Sequence, residues 1–186
     1  MTASMTAEKL PNSTIRLRAI EHDDLPALQS WWNDPDLWRE IGSRRRLTAL
    51  AHVETWYEEL LERTEPHEGR TFAIADDAGR LLGTAWYSAF DLADRHSEIG
   101  LYIGDEYDRN HGYGAVACRA LASYLFNELG LNKLRLIVSC DNLRAIGCYE
   151  KVGFSREGLL RQHRFFAGSF HDFLLMGLLA TELKRS

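Results

Sequence analysis

The residues best placed to do chemistry lie in one short glycine-bearing segment, residues 109–114. An apolar stretch at residues 99–103, typical of a strand, precedes it, and residues 115–129 have the pattern of a helix. The first amides of a helix have no partner within it, and the helix dipole adds partial positive charge there. Gly112 and Gly114 have no Cβ, so an anion can approach the backbone closely, and Arg109 adds a guanidinium. The segment therefore predicts a phosphate-binding site.

This segment differs from the two best-known phosphate loops. A Walker loop ends in Gly-Lys followed by Ser or Thr, and no such ending is present. The dinucleotide fingerprint needs a third glycine three residues after Gly114, where this chain has Ala117. Taken by itself, the segment is more simply explained as an ordinary turn before a helix. Its interpretation therefore depends on the residues around it.

The composition narrows the class of protein. The 186 residues suffice for one domain with a sizeable core, and 45% hydrophobic with 26% charged residues is typical of a globular chain. A net charge of −5 argues against a large nucleic-acid surface. The three cysteines form no Cys-x-x-Cys pair, which argues against a disulfide scaffold and a zinc site and favours a reducing cytoplasm. With no membrane-length apolar run and no recognisable signal sequence, we expect neither a membrane nor a nucleic acid as a partner.

The order of the predicted elements indicates one mixed α/β (α+β) sheet. Residues 15–20 alternate apolar and basic side chains, as a half-buried strand does, and two helices are predicted after it. Strands are then predicted at residues 71–75, 81–87, 97–103 and 133–140, with two more after residue 153, and helices at residues 115–129 and 143–151. We expect a flexible tail at residues 1–13 and a single domain at residues 14–183. This domain has a mostly antiparallel seven-stranded sheet with a central splayed parallel pair and about four helices.

The segment at residues 142–154 carries a more specific pattern. It reads Asn-Leu-Arg-Ala-Ile-Gly-Cys-Tyr-Glu-Lys-Val-Gly-Phe and resembles the Asn-x-x-Ala-x-x-x-Tyr-Glu-Lys-x-Gly-Phe segment of the GNAT superfamily of acetyl-CoA-dependent N-acetyltransferases. The Arg-x-x-Gly-x-Gly pattern of the glycine segment is similar to the pyrophosphate signature of the same superfamily. Later features resemble its RimJ/RimL and spermidine-acetyltransferase branch: Glu157 with Gly158, Gly168 with Asp172, and Met176. The resemblance covers nearly the whole chain.

The resemblance implies acetyl-CoA as the cosubstrate and no metal. A parallel strand pair that splays apart leaves backbone groups unpaired, and an extended amide-bearing chain such as pantetheine can pair with them as an added strand does. By resemblance, pantetheine pairs with Leu101, Tyr102 and Ile103. The pyrophosphate-binding segment is implied to comprise Arg109, Asn110, His111, Gly112, Tyr113, Gly114 and Ala115. Asn142 is implied to hydrogen-bond a pantetheine amide; a plain helix cap is the alternative, and the two roles can coexist.

The same resemblance implies two residues that move protons. Tyr149 is implied to protonate the departing thiolate, since a phenol pKa of about 10 is close enough to a thiol pKa of about 8.5; the alternative is a core tyrosine. Glu98 is implied to accept the amine proton, directly or through water; the alternative is a surface glutamate. Weaker candidates for this base are His96, Asp91 and His111. Cys148 has no ordered His or Asp partner in sequence, so we expect direct attack in a ternary complex rather than an acyl-cysteine relay.

The predicted activity is acetyl transfer to a primary amine. The branch resemblance allows a polyamine, an amino-acid-like amine, an antibiotic or a protein N-terminus, and a small molecule is the first choice. The acceptor pocket is expected between the two N-terminal helices and the loops at Asp91 and residues 165–170. Residues 36–47 are predicted to be irregular, and their basic run at residues 44–46 is a substrate loop, a partner site for acidic groups or, more simply, a solvated charge run. A non-catalytic acyl-CoA sensor is the alternative of another class, and the final strand is expected to be an exposed edge that would permit a homodimer.

Overall fold

The computed structural model describes residues 5–10, 13–44 and 47–184, which form an eight-stranded sheet and five α-helices. The strands are β1 (Met5–Leu10), β2 (Ser13–Ala19), β3 (Arg70–Ala75), β4 (Leu81–Asp91), β5 (His96–Ile103), β6 (Lys133–Ser139), β7 (Ser155–Phe166) and β8 (Ser169–Leu179). The helices are α1 (Leu25–Asn33), α2 (Pro35–Glu40), α3 (Leu50–Glu62), α4 (Tyr113–Asn127) and α5 (Leu143–Val152). Within these ranges, none of the helices has the length and apolar character needed to cross a membrane.

The sheet is mixed, with the strand order β1-β2-β3-β4-β5-β6-β8-β7, and β5 and β6 are its parallel neighbours. This confirms the predicted fold class, including the central parallel pair. β5 and β6 pair over three residues, from His96 with Lys133 to Glu98 with Arg135. β5 continues to Ile103 and β6 to Ser139, so the two strands separate beyond Glu98. The end of β5 therefore has an unpaired edge on the side that faces β6.

Two elements differ from the prediction. β1 lies in the segment expected to be a flexible tail and pairs antiparallel with β2, so the sheet has eight strands rather than seven. α2 lies in the segment expected to be irregular and brings the described α-helices to five. The Asp34 side chain accepts the amide of Asp36, and Pro35 occupies the first turn, so a cap and a fixed φ stabilise this short helix. The domain limits at residues 14 and 183 stay a prediction.

The prediction that the final strand is an exposed edge is wrong. β8 lies between β6 and β7, and β7 is the edge strand. Phe173 and Met176 of β8 are fully buried, whereas most side chains of β7 are exposed. The strand with the buried apolar side chains takes the inner position, because this placement removes the larger apolar surface from water.

Apolar clusters on the two faces of the sheet fix the place of the site. On one face, α4 and α5 pack through buried residues such as Leu121 and Val152 onto Ile99 of β5. On the other face, Leu37 of α2 belongs to a cluster that includes Tyr102 of β5. The unpaired end of β5 therefore lies between two groups of helices, and both groups can supply side chains to it.

Candidate active site

A cavity of about 380 Å³ lies at the unpaired end of β5. All of the predicted cofactor-binding residues except His111 line it, including Leu101, Tyr102 and Ile103 of β5. The sequence did not indicate several others, which come from the end of α2, from Asp108 and from further positions on α5. The structure thus brings the glycine segment, β5 and α5 together around one space.

The start of α4 presents unpaired backbone amides beside this cavity. Gly112 precedes the helix with a φ of +84°, a left-handed conformation that favours glycine. Its carbonyl accepts the amides of Ala115 and Val116 at 3.1 and 3.2 Å. The amides of Gly112, Tyr113 and Gly114 have no backbone acceptor among the described residues. Together with the helix dipole, these amides suit an anion of phosphate size.

Arg109 holds the glycine segment in place. Its Nε and Nη2 donate to the carbonyls of Ile103 and Gly104 at 3.2 and 2.6 Å, and its Nη1 lies 2.6 Å from Oε2 of Glu40. The side chain is only 9% exposed, and Glu40 matches its charge. The guanidinium therefore ties the segment to the end of β5 and to α2, and its contact with phosphate stays a prediction.

Glu40, at the end of α2, connects three parts of the site and was not indicated by the sequence. Its carboxylate forms ion pairs with Arg109 and Arg144. Its backbone carbonyl accepts Nδ2 of Asn142 at 2.8 Å. Because the segment that contains Glu40 was expected to be irregular, no periodicity in the sequence could place this side chain against the glycine segment or α5.

Asn142 caps α5, as the simpler interpretation predicted. Its Oδ1 accepts the amide of Ala145 at 3.0 Å, while its Nδ2 donates to Glu40. Both polar groups of the side chain therefore have protein partners. Asn142 also lines the cavity, and the implied bond to a pantetheine amide stays a prediction.

Tyr149 of α5 lines the cavity and is only 7% exposed. Its ring packs edge-on against Phe154, with the centroids 5.7 Å apart. Burial, and to a smaller extent the thiols of Cys118 and Cys148, raise the pKa of Tyr149 well above its ordinary value. The phenol is therefore protonated at neutral pH and is a weaker acid than an exposed tyrosine.

Glu98 lies on β5 at the last residue pair before the parallel strands separate. Its side chain is 40% exposed, and Oε2 lies 3.7 Å from Nε of Arg135. Glu98 lies on the same face of β5 as Gly100 and Tyr102, but it is not part of the cavity lining. The carboxylate thus lies outside the cavity lining, and its role as the base stays a prediction.

The weaker base candidates lie outside the cavity. Asp91 and His96 pair at the start of β5, and Asp91 uses Oδ1 to accept the amides of Ala93 and Asp94 in the turn. Together with Asp94 they form a cluster in which one carboxylate oxygen or ring nitrogen of each residue lies within 4.8 Å of those of the other two. His111 stacks on Tyr113 with the ring centroids 5.6 Å apart. None of the three candidates is among the cavity-lining residues.

Cys148 lines the cavity next to Tyr149. Burial raises the pKa of its thiol to about 11, so the thiol is protonated at neutral pH. A protonated thiol is a poor nucleophile. This environment supports direct transfer over an acyl-cysteine relay.

Known proteins resemble this chain in sequence and in fold. Residues 14–155 match the model of the acetyltransferase (GNAT) domain. The chain is 34% identical to the uncharacterized N-acetyltransferase YoaA of Bacillus subtilis (strain 168), over 88% of this chain and 92% of YoaA. It is 26% identical to the spermidine N(1)-acetyltransferase of Vibrio cholerae, over 94% and 99% of the two chains. The structure of Mycobacterium smegmatis RimJ in complex with CoA-disulfide superposes with a TM-score of 0.85 at 20% identity, covering 99% of this chain and 90% of RimJ.

Proposed function

The chain belongs to the GNAT acetyltransferase family, and we propose that it transfers the acetyl group of acetyl-CoA directly to a primary amine within a ternary complex. One observation carries the proposal. The unpaired amides at the start of α4, the open edge of β5 and the buried Tyr149 all belong to the walls of one cavity. Each of these groups suits a different part of the same cosubstrate.

The amides of Gly112, Tyr113 and Gly114 suit the diphosphate, because they combine free donors with the positive end of a helix dipole. The unpaired edge of β5 suits the amide-bearing pantetheine arm, which would add to the sheet as a short strand. Tyr149 and Cys148 lie on α5 and line the same cavity as this edge. This arrangement supports placing the reacting end of the cosubstrate near Tyr149.

Acetyl-CoA supplies a thioester carbonyl that an amine can attack and a thiolate that leaves. In the proposed mechanism Tyr149, which is protonated at neutral pH, gives its proton to the sulfur as the carbon–sulfur bond breaks. Glu98 takes the proton that the amine loses, and its partial exposure lets a water molecule connect it to the cavity. Arg109 and Glu40 act indirectly, by holding the glycine segment in position.

For the acceptor we propose a small primary amine, with the N-terminus of a protein as the alternative. Similarity to a spermidine acetyltransferase over nearly the whole chain supports a small molecule. The purified protein should release free thiol from acetyl-CoA only when a suitable amine is added. If CoA binds tightly but neither small amines nor peptides are acetylated, the protein is a non-catalytic acyl-CoA sensor and this proposal fails.

Replacing Glu98 with glutamine should lower kcat/KM for the amine by about 10- to 100-fold at pH 7, because a positioned base is lost. The defect should shrink as the pH rises towards the amine pKa of about 10.4, since more of the amine is then already deprotonated. Initial rates of thiol release between pH 7 and 10 measure this. Glu157→Gln is the matched control, since Glu157 is also a half-exposed strand glutamate, paired with Lys133 at 2.7 Å. Unchanged rates for Glu98→Gln would exclude Glu98 as the base.

We also propose a homodimer that forms along β7 in the cytoplasm. β7 is twelve residues long and, among the described strands, pairs only with β8, so its other edge has backbone groups without a strand partner there. Leu159 is 54% exposed on this strand. The three cysteines are free thiols, which suits a reducing compartment. Light scattering should give the mass of two chains, and a mass of one chain at micromolar concentration would exclude this dimer.

A further inference from the structure

A second hollow, of about 390 Å³, lies on the helical side that carries α1, α2 and α3. Trp32, Trp38, Leu47, Thr48 and His52 line it, and we refer to it as the aromatic hollow. Trp32 packs edge-on against Trp56, with the ring centroids 5.0 Å apart. Two of the five lining residues are therefore tryptophans and a third is leucine, and these side chains suit an apolar or aromatic group.

The aromatic hollow adjoins the cofactor cavity. Nε1 of Trp32 donates to the hydroxyl of Tyr102 at 2.9 Å, and Tyr102 lines the cavity. α2 also borders both spaces, because it presents Trp38 to the hollow and Leu37 and Glu40 to the cavity. The Trp32–Tyr102 pair and the short helix α2 therefore border both spaces.

The tryptophans of the hollow are fixed by hydrogen bonds. Nε1 of Trp38 donates to the carbonyl of Trp32 at 2.6 Å, and Nε1 of Trp32 is bonded to Tyr102. The polar edges of both indoles are thus already used. What remains available to a ligand is the carbon surface of the rings, whose faces also attract an ammonium group.

The charged residues that line these two spaces do not favour the binding of a polycation. Glu40 and Asp108 are the carboxylates among the described lining residues of either space. Glu40 is paired with Arg109 and Arg144, and Asp108 accepts two hydrogen bonds from Arg80 at 2.6 and 2.9 Å. Arg44, in the segment that leads to Leu47, is exposed. A second or third ammonium group would therefore find no unpaired carboxylate in this lining and would meet positive charge nearby.

We infer that the acceptor is a primary monoamine that carries an aromatic or branched apolar group, with this group in the aromatic hollow and the amine directed to the cofactor cavity. The inference rests on the proposed acetyl transfer and specifies its substrate class. It sets this chain apart from polyamine and aminosugar acetylation. Two sources offer the same chemistry: a small arylalkylamine, or a peptide that begins with an apolar residue.

The test compares kcat/KM for 2-phenylethylamine, a tripeptide with N-terminal phenylalanine, spermidine and an aminoglycoside, with thiol release as the readout. One of the first two should exceed both polycations by about tenfold or more, since burying an aromatic group contributes at least that factor. Whichever of the two is faster identifies the source. Faster turnover of spermidine or the aminoglycoside would overturn the inference and leave the proposed function standing. Turnover of none of the four, with CoA bound, would overturn both.

Variants separate the hollow from the catalytic cavity. Trp38→Ala should raise KM for the preferred amine about tenfold and leave kcat and CoA affinity nearly unchanged. Calorimetry of the same amine with CoA-loaded protein should show the same loss of affinity without turnover.

Leu47→Glu should shift the amine preference of the protein towards spermidine. Because Leu47 is 78% exposed, the substitution should not disturb folding. Tyr107→Ala is the control, because Tyr107 is 93% exposed and lines neither space. If neither Trp38→Ala nor Leu47→Glu changes amine selectivity, the hollow is not the acceptor site.

Discussion

Replacing Tyr149 with phenylalanine is expected to lower kcat by about 100-fold or more, because a positioned general acid contributes about 10²- to 10⁴-fold. The dissociation constant of CoA should stay within about twofold, since the lost hydroxyl acts on the departing sulfur rather than on the bound ground state. The Tyr149 hydroxyl makes no hydrogen bond with the described residues, so its removal leaves no buried partner unsatisfied. The ring remains to pack against Phe154, and the fold should be retained.

The experiment measures initial rates of thiol release at saturating concentrations of both substrates, with CoA affinity taken from calorimetry. Tyr87→Phe is the matched control, because Tyr87 is also buried but packs against Phe72 and Phe90 and does not line the cavity. Its rate should match that of the wild type. An unchanged rate for Tyr149→Phe would remove Tyr149 from the mechanism. A matching loss of CoA affinity would instead indicate that Tyr149 positions the cosubstrate.

The parts of the site that the sequence predicts are those that depend on neighbours along the chain. The glycine segment follows a strand and starts a helix, so its amides are free because of local geometry alone. Asn142 begins α5 and Tyr149 lies two turns later, so one helix fixes their relation. Such features need no knowledge of distant segments, and the structure brings them to one cavity.

The parts that could not be predicted depend on contacts between distant segments. Glu40 reaches Arg109 and Arg144 only because α2 forms and packs beside β5, and six residues with few apolar positions give no clear helical period. The order of β7 and β8 in the sheet also depends on contacts between distant segments. Both strands are long enough to pair with β6, and the choice depends on which of them buries more apolar surface. Alternation places Glu98 on a face of β5, but its distance from the cavity depends on where the parallel strands separate.

Replacing Gly112 with valine is expected to weaken CoA binding by about 100-fold. At a φ of +84° a residue other than glycine carries strain of about 1–3 kcal/mol, and a β-branched residue is among the least tolerated. The free protein can relieve this strain by turning the peptide, but the turn directs the amides of Gly112 to Gly114 away from the cavity. Binding must then restore the strained conformation, and about 2.8 kcal/mol corresponds to a hundredfold loss of affinity.

Gly79→Val separates this effect from general destabilisation. Gly79 has nearly the same conformation, with a φ of +87°, but it lies in the turn between β3 and β4 and does not line the cavity. Gly79→Val should lose stability in urea unfolding because valine is strained in this conformation, and Gly112→Val should lose at most as much, because its peptide can turn to relieve the strain. In calorimetry, only Gly112→Val should lose affinity for CoA. A folded Gly112→Val variant with wild-type affinity would mean that the diphosphate binds elsewhere, because no binding mode that uses these three amides could tolerate their reorientation.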